Sequence, residues 1–177
     1  MKKQVYIING KPQSGKDTFA EFVKEYAKKD YGLSVTNLST VDKVKQAALM
    51  LGWDGVKDDK GRKFLSDLKA LSSALYDGPL NYVINEVVNG DSSIYFVHCR
   101  EPEGIQQIAN KLSELGIVEK TILIKNSRSE QIEYNNDSDG NVYNFNYDIT
   151  INNEGTLEEF KNIARLFAKC AAEFNAL

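Results

Sequence analysis

Cysteine and histidine are scarce in this sequence of 177 residues. The two cysteines, Cys99 and Cys170, form no CxxC pair and are too few for a disulfide framework. The single histidine, His98, leaves a histidine-based zinc site or a Ser-His-Asp triad without the residues it needs. The scarcity of both side chains argues against disulfide-stabilised, zinc-dependent and triad-based proteins.

An excess of basic residues and a long apolar run are also missing. Lys and Arg number 22 against 25 Asp and Glu, whereas nucleic-acid binding usually leaves a basic imbalance. No run approaches the roughly 20 apolar residues of a membrane span, and the run Val5 to Ile8 is too short for a secretory signal. We therefore expect a cytoplasmic protein with neither a nucleic-acid nor a membrane partner. The sequence does not indicate the oligomeric state.

Short apolar, β-branched segments alternate with amphipathic ones along the chain. The pattern predicts strands over 4–8, 34–38, 94–97, 121–124 and 148–151, and helices over 16–31, 42–51, 62–75, 79–88, 103–115 and 156–174. Such alternation is typical of an α/β fold, in which a central parallel sheet of five strands has helices on both faces. We see no repeat or linker, so residues 1–177 are expected to form one domain.

Two later stretches carry local signals. Residues 126–146 are rich in Asn, Asp, Ser, Gly and Tyr, and a loop of that length inside a domain is usually functional or disordered. Thr156 followed three residues later by Glu159 is a capping-box pattern that opens the last helix. The apolar residues Phe160, Ile163 and Phe167 on that helix are expected in the core. The same holds for the apolar sides of the other helices, including Leu51 of the 42–51 helix and Leu71 and Leu75 of the 62–75 helix.

The most specific motif lies near the amino terminus, in the 10–18 segment. It fits GxxxxGK, with Asp where Ser or Thr usually follows. Two glycines let the backbone wrap closely around a phosphate, and the following helix adds its positive amino-terminal dipole. An apolar strand before it and an amphipathic helix after it complete the context. We therefore predict a phosphate-binding loop (P-loop) made of Gly10, Lys11, Pro12, Gln13, Ser14, Gly15, Lys16, Asp17 and Thr18. The alternative is an ordinary Gly-rich turn.

Asp17 is the informative departure from that motif. A carboxylate in the first turn of a helix interacts favourably with the helix dipole, by up to about 1 kcal/mol. Beside a triphosphate, however, it would repel the ligand unless Mg²⁺ lay between them, held directly or through water. Thr18 offers a second metal-side hydroxyl, although one helical position rotates it by about 100°. We favour the metal interpretation, with Asp17 and Thr18 as candidate ligands.

Several stretches together resemble a known family. They are Gly15-Lys16-Asp17-Thr18, the lysine-containing stretch 41–45, His98-Cys99-Arg100 after the central strand, and 148–159 at the last strand and helix. This combination resembles the phage-type deoxynucleoside monophosphate kinases of the P-loop kinase superfamily. Animal-type phosphomevalonate kinases share the GKD ending. The resemblance implies a three-layer P-loop NTPase fold that binds ATP and Mg²⁺, an acceptor-binding helical insert over about 41–90 and a lid-like loop over about 126–146.

The same resemblance implies roles for five cations. Lys45, Arg62 and Lys63 fall in the helical insert and would bind the acceptor, whereas Arg128 falls in the lid. Arg100 follows a central strand, at the edge where open α/β sheets bind ligands, and would contact both the acceptor and the transferred phosphoryl group. With Lys16, Arg100 and Arg128 form the candidate catalytic set, because phosphoryl transfer needs positive charge around the moving group.

The leading hypothesis is Mg²⁺-ATP-dependent phosphoryl transfer to a small phosphate-bearing acceptor, namely a (deoxy)nucleoside monophosphate. The family's central strand ends in an aspartate where this chain has His98 and Cys99. This departure motivates a second hypothesis, a nucleotide-binding module with little or no catalysis. Phosphomevalonate, a dephospho-coenzyme-A-like acceptor and a fold that binds no nucleotide remain further alternatives. The aromatic residues Trp53, Tyr134, Tyr143 and Tyr147 are candidates either to stack on a base or to pack a loop.

Overall fold

A computed structural model describes residues 3–130 and 140–176. Its strands are β1 (Gln4–Asn9), β2 (Val35–Ser39), β3 (Ile94–His98), β4 (Val118–Lys125) and β5 (Ile149–Asn152). Its helices are α1 (Lys16–Tyr31), α2 (Asp42–Met50), α3 (Asp59–Tyr76), α4 (Gly78–Asn89), α5 (Pro102–Glu114), α6 (Ser127–Glu130) and α7 (Leu157–Ala176). Part of the predicted lid, residues 131–139 with Tyr134, lies outside the described residues.

The five strands form one parallel sheet in the order β2-β3-β1-β4-β5. Ile8 in the central strand pairs with His98 on one side and with Ile122 on the other. All strands run the same way, so their carboxyl ends meet at one edge of the sheet. The loops that follow β1, β3 and β4 are therefore neighbours, which confirms the predicted α/β fold.

Helices cover both faces of the sheet, because side chains alternate along each strand. On one face, Ile8 and Phe96 pack in a core with Phe19 of α1 and Phe160 of α7. On the other face, neighbouring strand residues pack against α4 and α5 in a second core. The fold thus has three layers. One expected core residue, Ile163, is instead 37% exposed, because it lies on the outer side of α7.

The capping box is confirmed at the start of α7. The Thr156 amide donates to Glu159 Oε2 at 2.6 Å, and the Glu159 amide donates to Thr156 Oγ1 at 3.2 Å. The predicted strand over 121–124 is shorter than the observed β4, because Val118 already pairs with Gln4 at the start of the ladder. Pairing with the central strand extends β4 through residues that sequence pattern alone does not favour.

Helices α2 and α3 bury only part of the apolar sides that the sequence predicts for them. Leu51, Leu71 and Leu75 are 68%, 59% and 63% exposed, although each belongs to an apolar helix side that predicted burial. Gly61 is the one buried residue of α3. On the apolar side of α2, Val44 and Ala48 are buried as predicted. The two helices contact each other and α4. Across residues 3–130 and 140–176, no helix has the length and apolar character needed to cross a membrane.

Candidate functional site

The 10–18 segment folds as a compact turn between β1 and α1. Gln13 and Gly15 have positive φ angles of 63° and 98°, and the Ser14 amide donates to the Lys11 carbonyl at 3.1 Å. A side chain at Gly10 would bring its Cβ to 2.6 Å from the Ile124 carbonyl oxygen. The first glycine of the motif is therefore required by a close approach of two backbones, as well as by the motif's chemistry.

Two asparagines hold this turn in place, and the motif gave no indication of either. Asn153 Nδ2 donates to the Ser14 carbonyl at 2.9 Å, and Asn9 Oδ1 accepts from the Gly10 amide at 2.8 Å. Asn9 Nδ2 also donates to the Arg100 carbonyl at 3.0 Å, which ties the turn to the loop after β3. Only their positions in the sequence could have indicated this role, since both asparagines lie at the carboxyl ends of strands.

A cavity of about 880 Å³, called the larger cavity below, lies beside the amino terminus of α1. Lys16 lines it with a residue exposure of only 8%, next to Asp17 and Arg100. It brings together six of the predicted site residues, namely Lys16, Asp17, Lys45, Arg62, Lys63 and Arg100, and His98 lines it as well. The cavity therefore has P-loop residues on one side and the cations of α2 and α3 on another.

Asp17 and His98 meet inside this cavity. Asp17 Oδ1 is 3.4 Å from His98 Nδ1, a buried atom without a hydrogen-bond partner among the described residues. Burial lowers the pKa of His98 below 6.5, and this effect outweighs the opposing attraction of the Asp17 carboxylate. The imidazole is therefore largely neutral at pH 7, and the contact joins a carboxylate to an uncharged ring.

Magnesium was tested against the donors present. Within the described residues no three His, Cys, Asp or Glu side chains form a metal-binding group. Mg²⁺, however, is commonly held by one or two carboxylates together with substrate phosphates and water. The Asp17 side chain is 84% exposed and adjoins Lys16, so it fits a phosphate-held ion rather than a dedicated protein cage.

The smaller cavity, of about 300 Å³, lies on another side of the 10–18 segment. It is lined by Gln13, Gly15, Thr18, Asn126, Arg128, Asn153, Gly155, Leu157 and Phe160. Thr18 and Arg128 therefore lie here, and the structure brings neither of them together with Asp17 or Arg100 in the larger cavity. The two metal candidates, Asp17 and Thr18, face different spaces because they are consecutive residues of one helix.

The candidate aromatic residues have structural partners. The Tyr147 hydroxyl accepts from Asn9 Nδ2 at 2.8 Å and donates to the Val142 carbonyl at 2.7 Å. Trp53 Nε1 donates to the Val56 carbonyl at 2.9 Å. The Tyr143 ring lies 5.5 Å from Lys11 Nζ and 5.1 Å from Lys125 Nζ, within cation–π range. Each of the three residues thus contacts other parts of the protein, as the loop-packing alternative predicts.

One ion pair in the larger cavity was not predicted. Lys69 Nζ of α3 is 2.6 Å from Glu101 Oε2, in the loop after β3. Lys57 also lines the cavity, and its carbonyl accepts from Arg62 Nε at 2.9 Å. Sequence reading missed Lys69 because α3 carries several charges of both signs, and the pattern does not show which side faces the sheet. It missed Lys57 because that residue lies in the polar turn before α3.

Comparisons with known proteins complete the description. No protein-family model matches the chain, and no curated protein matches it. Solved structures do match. APS kinase CysC from Mycobacterium tuberculosis in complex with AMPPNP and APS superposes with a TM-score of 0.51 at 14% identity, covering 95% of this chain and 96% of that one.

Two further solved structures superpose better. A protein named APE1195 has a TM-score of 0.57 at 16% identity, covering 96% of both chains. A protein from Chloroflexus aurantiacus described as a candidate kinase has a TM-score of 0.56 at 12% identity, covering 95% of both chains. Identities this low bear on architecture only. The chain therefore has the α/β, P-loop kinase-like fold.

Proposed function

We propose that this protein catalyses Mg²⁺-ATP-dependent phosphoryl transfer to a small phosphate-bearing acceptor, and that the acceptor is a (deoxy)nucleoside monophosphate. The observation that carries the proposal is the larger cavity. Lys16, at the start of α1, faces a space of about 880 Å³ that α2 and α3 line with Lys45, Arg62 and Lys63. That volume lies within the range of about 300–1,000 Å³ for small-molecule sites.

The nucleotide side of the mechanism uses the 10–18 segment. Its backbone amides and the α1 dipole bind the phosphates of ATP, and Lys16 contacts the β- and γ-phosphates. Ser14 Oγ is buried without a hydrogen-bond partner among the described residues, as expected for a hydroxyl that a ligand oxygen would satisfy. Asp17 would hold Mg²⁺ directly or through water, and the ion would neutralise charge on the transferred phosphoryl group.

The acceptor side of the mechanism requires no proton removal. Burial raises the pKa of the Cys99 thiol to about 12 and lowers the pKa of His98, so the thiol stays protonated at neutral pH and the imidazole is a weaker base than a free one. The second ionisation of a phosphate monoester has a pKa of about 6, so a monophosphate acceptor is already ionised near pH 7. This chemistry favours a phosphate oxygen over an alcohol as the nucleophile. Transfer is in line, without a covalent intermediate.

We assign the remaining predicted residues by their place around the cavities. Lys45, Arg62 and Lys63 bind the acceptor, and Arg100 balances charge between acceptor and phosphoryl group. The smaller cavity, with Thr18 and Arg128, takes the nucleoside part of ATP, and Arg128 belongs to the lid over about 126–146. Helices within about 41–90 form the acceptor-binding insert of a single domain.

The second candidate function is a nucleotide-binding module with little or no catalysis. It is favoured by His98 and Cys99 at the end of β3 and by the contact of Asp17 with a neutral imidazole rather than with a second carboxylate. This reading expects tight nucleotide binding that is nearly indifferent to Mg²⁺.

A coupled ADP-release assay over the four deoxynucleoside monophosphates and their ribonucleotide counterparts, with Mg²⁺-ATP, tests the proposal. We expect acceptor-dependent ADP release with at least one monophosphate. The binding module would be favoured if no acceptor caused ADP release and if ATP bound with the same affinity after Mg²⁺ was removed.

A further inference from the structure

One side of α3 faces the larger cavity with polar groups at helical spacing. Arg62, Ser66 and Lys69 line the cavity at positions i, i+4 and i+7. At a rise of about 1.5 Å per residue, Arg62 and Lys69 are separated by about 10 Å along the helix. Asp59 and Asp67 of α3 also line the cavity, and Lys69 adds a cation to it beyond the acceptor residues that the sequence predicted.

Lys69 differs from the other ion-paired lysine of α3 in its surroundings. Lys63 Nζ pairs with Asp67 at 2.7 Å within the helix, with side chains 74% and 63% exposed. Lys69 Nζ pairs with Glu101 at 2.6 Å between two elements, and its side chain is only 20% exposed. An exposed pair four residues apart contributes little orientation, whereas the less exposed pair restricts the lysine to the cavity wall.

Glu101 is itself held in place. It is the N-cap residue of α5, directly after Arg100. The Cys99 thiol lies 3.8 Å from the Glu101 carbonyl oxygen and 3.9 Å from Oε2, at the outer range for sulfur hydrogen bonds. Burial acts to raise the pKa of Glu101, but the charge and hydrogen bond of Lys69, a backbone hydrogen bond and the charge of Arg100 together lower it. The carboxylate therefore stays ionised at neutral pH and keeps its attraction for Lys69.

We propose that Lys69 binds an anionic group of the acceptor and that Glu101 is the positioning residue that orients it. An ammonium group has three N–H donors, so one carboxylate oxygen leaves donor capacity for a phosphate. Protein kinases use a lysine–glutamate pair from two separate elements in this way, to place the lysine on phosphates. The inference rests on the proposed function, because it names a further residue for the same acceptor.

A purely structural tie is the competing explanation. In that case the pair would only fasten α3 to the loop after β3, and its loss would lower thermal stability and weaken ATP and acceptor alike. An acceptor-binding lysine, by contrast, changes the acceptor KM selectively. An arginine at position 69 would partly restore the function, since it keeps the charge.

The experiment compares wild-type protein with Lys69→Gln, Lys69→Arg and Glu101→Gln. The matched control is Lys169→Gln, which removes an exposed lysine paired with Glu173 on α7, away from both cavities. KM for the best monophosphate, KM for ATP, kcat and melting temperature are measured for each. Calorimetric titration of the same monophosphate into the ADP-bound proteins gives a readout that does not need turnover.

We expect Lys69→Gln to raise the acceptor KM and the calorimetric Kd by about 10- to 100-fold, the size of losing one charge-assisted contact, with ATP KM changed less than twofold. Lys69→Arg should recover part of this loss, and Glu101→Gln should show a smaller rise of the same kind. Lys169→Gln should match wild type.

The outcomes separate this inference from the proposed function. Wild-type turnover with an unchanged acceptor KM in Lys69→Gln overturns the inference and leaves phosphoryl transfer standing. Equal losses for ATP and acceptor, or a loss explained by melting at the assay temperature, overturn it as well. Monophosphate binding that depends on Lys69 without any turnover supports it while overturning phosphoryl transfer. No monophosphate binding to the wild type overturns the acceptor assignment altogether.

Discussion

The two sides of the larger cavity are built by different means. The 10–18 segment is fixed by backbone contacts, by Asn9 and Asn153, and by a core on each face of the sheet below it. Helix α3 contributes one buried residue, Gly61, and leaves Leu71 and Leu75 largely exposed. The Lys69–Glu101 ion pair joins it to the loop after β3.

This difference indicates where the protein is rigid and where it adapts. A loop held by buried backbone hydrogen bonds presents its amides in one arrangement, which suits a ligand group that never varies, such as a triphosphate. A helix with few buried residues shifts at small cost, which suits the acceptor side of the proposed site. Substitutions on the first side should therefore affect nucleotide binding, and those on the second should affect the acceptor.

The largest effect is expected from Lys16→Met. Removing the ammonium takes away the one P-loop charge that reaches the β- and γ-phosphates, and loss of one such preorganised group costs about 10²- to 10³-fold in rate. Steady-state kinetics should show kcat/KM for ATP falling by that factor. Lys29→Met, an exposed change at the other end of α1, serves as the control. Equal activity of both variants would show that Lys16 does not contact the nucleotide.

A smaller loss is expected from Gly10→Ala. The added Cβ would lie 2.6 Å from the Ile124 carbonyl oxygen, and backbone cannot move aside as a flexible side chain can. Overpacking of this kind costs about 1–3 kcal/mol, so ATP should bind about 10- to 100-fold more weakly by calorimetry. Gly140→Ala is the control, since no described atom lies within 4 Å of its added Cβ. Unchanged ATP affinity in Gly10→Ala would argue against a rigid 10–18 segment.

Asn153→Ala probes the same rigidity through a side chain. It leaves the Ser14 carbonyl without its 2.9 Å donor, and an unsatisfied acceptor costs about 1–3 kcal/mol. Part of this cost falls on folding, so we expect ATP KM to rise by only about 5- to 10-fold, with acceptor KM unchanged. Asn152→Ala removes the neighbouring exposed amide and should be silent. A selective rise in acceptor KM instead would reverse the assignment of the two sides.

The smallest effect is expected from Asp148→Asn, which concerns the junction of β4 and β5. Asp148 Oδ2 accepts from the Thr121 amide and hydroxyl, both at 2.8 Å. Partial burial alone would raise the pKa of Asp148, but these hydrogen bonds and Lys120 lower it below its ordinary value of 3.8. The contribution of the Asp148 carboxylate to the free energy of unfolding is thus present above about pH 3.8 and is lost as the pH falls through the lowered pKa.

Denaturant unfolding at pH 6 should therefore show Asp148→Asn less stable by at most about 1 kcal/mol, since the side chain is half exposed. The difference from wild type should shrink below pH 3.8. Asp91→Asn, at an exposed site, is the control. A difference that persists or grows in acid would contradict a charged Asp148 in the folded protein.

Sequence reading captured the sheet and the compact turn between β1 and α1, because both depend on local patterns. Apolar strands, the GxxxxGK spacing and the Thr156–Glu159 capping box are written in consecutive residues. It missed Asn153, whose side chain donates to the Ser14 carbonyl 139 residues away. It also missed Lys69 and Glu101, which form an ion pair between separate elements. It also expected burial of Leu75, because an amphipathic pattern does not reveal whether a neighbouring surface exists to cover it.

The most direct test of the account follows the γ-phosphate itself. Wild-type protein is incubated with Mg²⁺-ATP and each monophosphate, and the products are identified by ³¹P NMR. The account predicts a nucleoside diphosphate in equal amount to ADP with at least one acceptor, and none in Lys16→Met. ADP accompanied only by inorganic phosphate, or equal product from Lys16→Met, would contradict it.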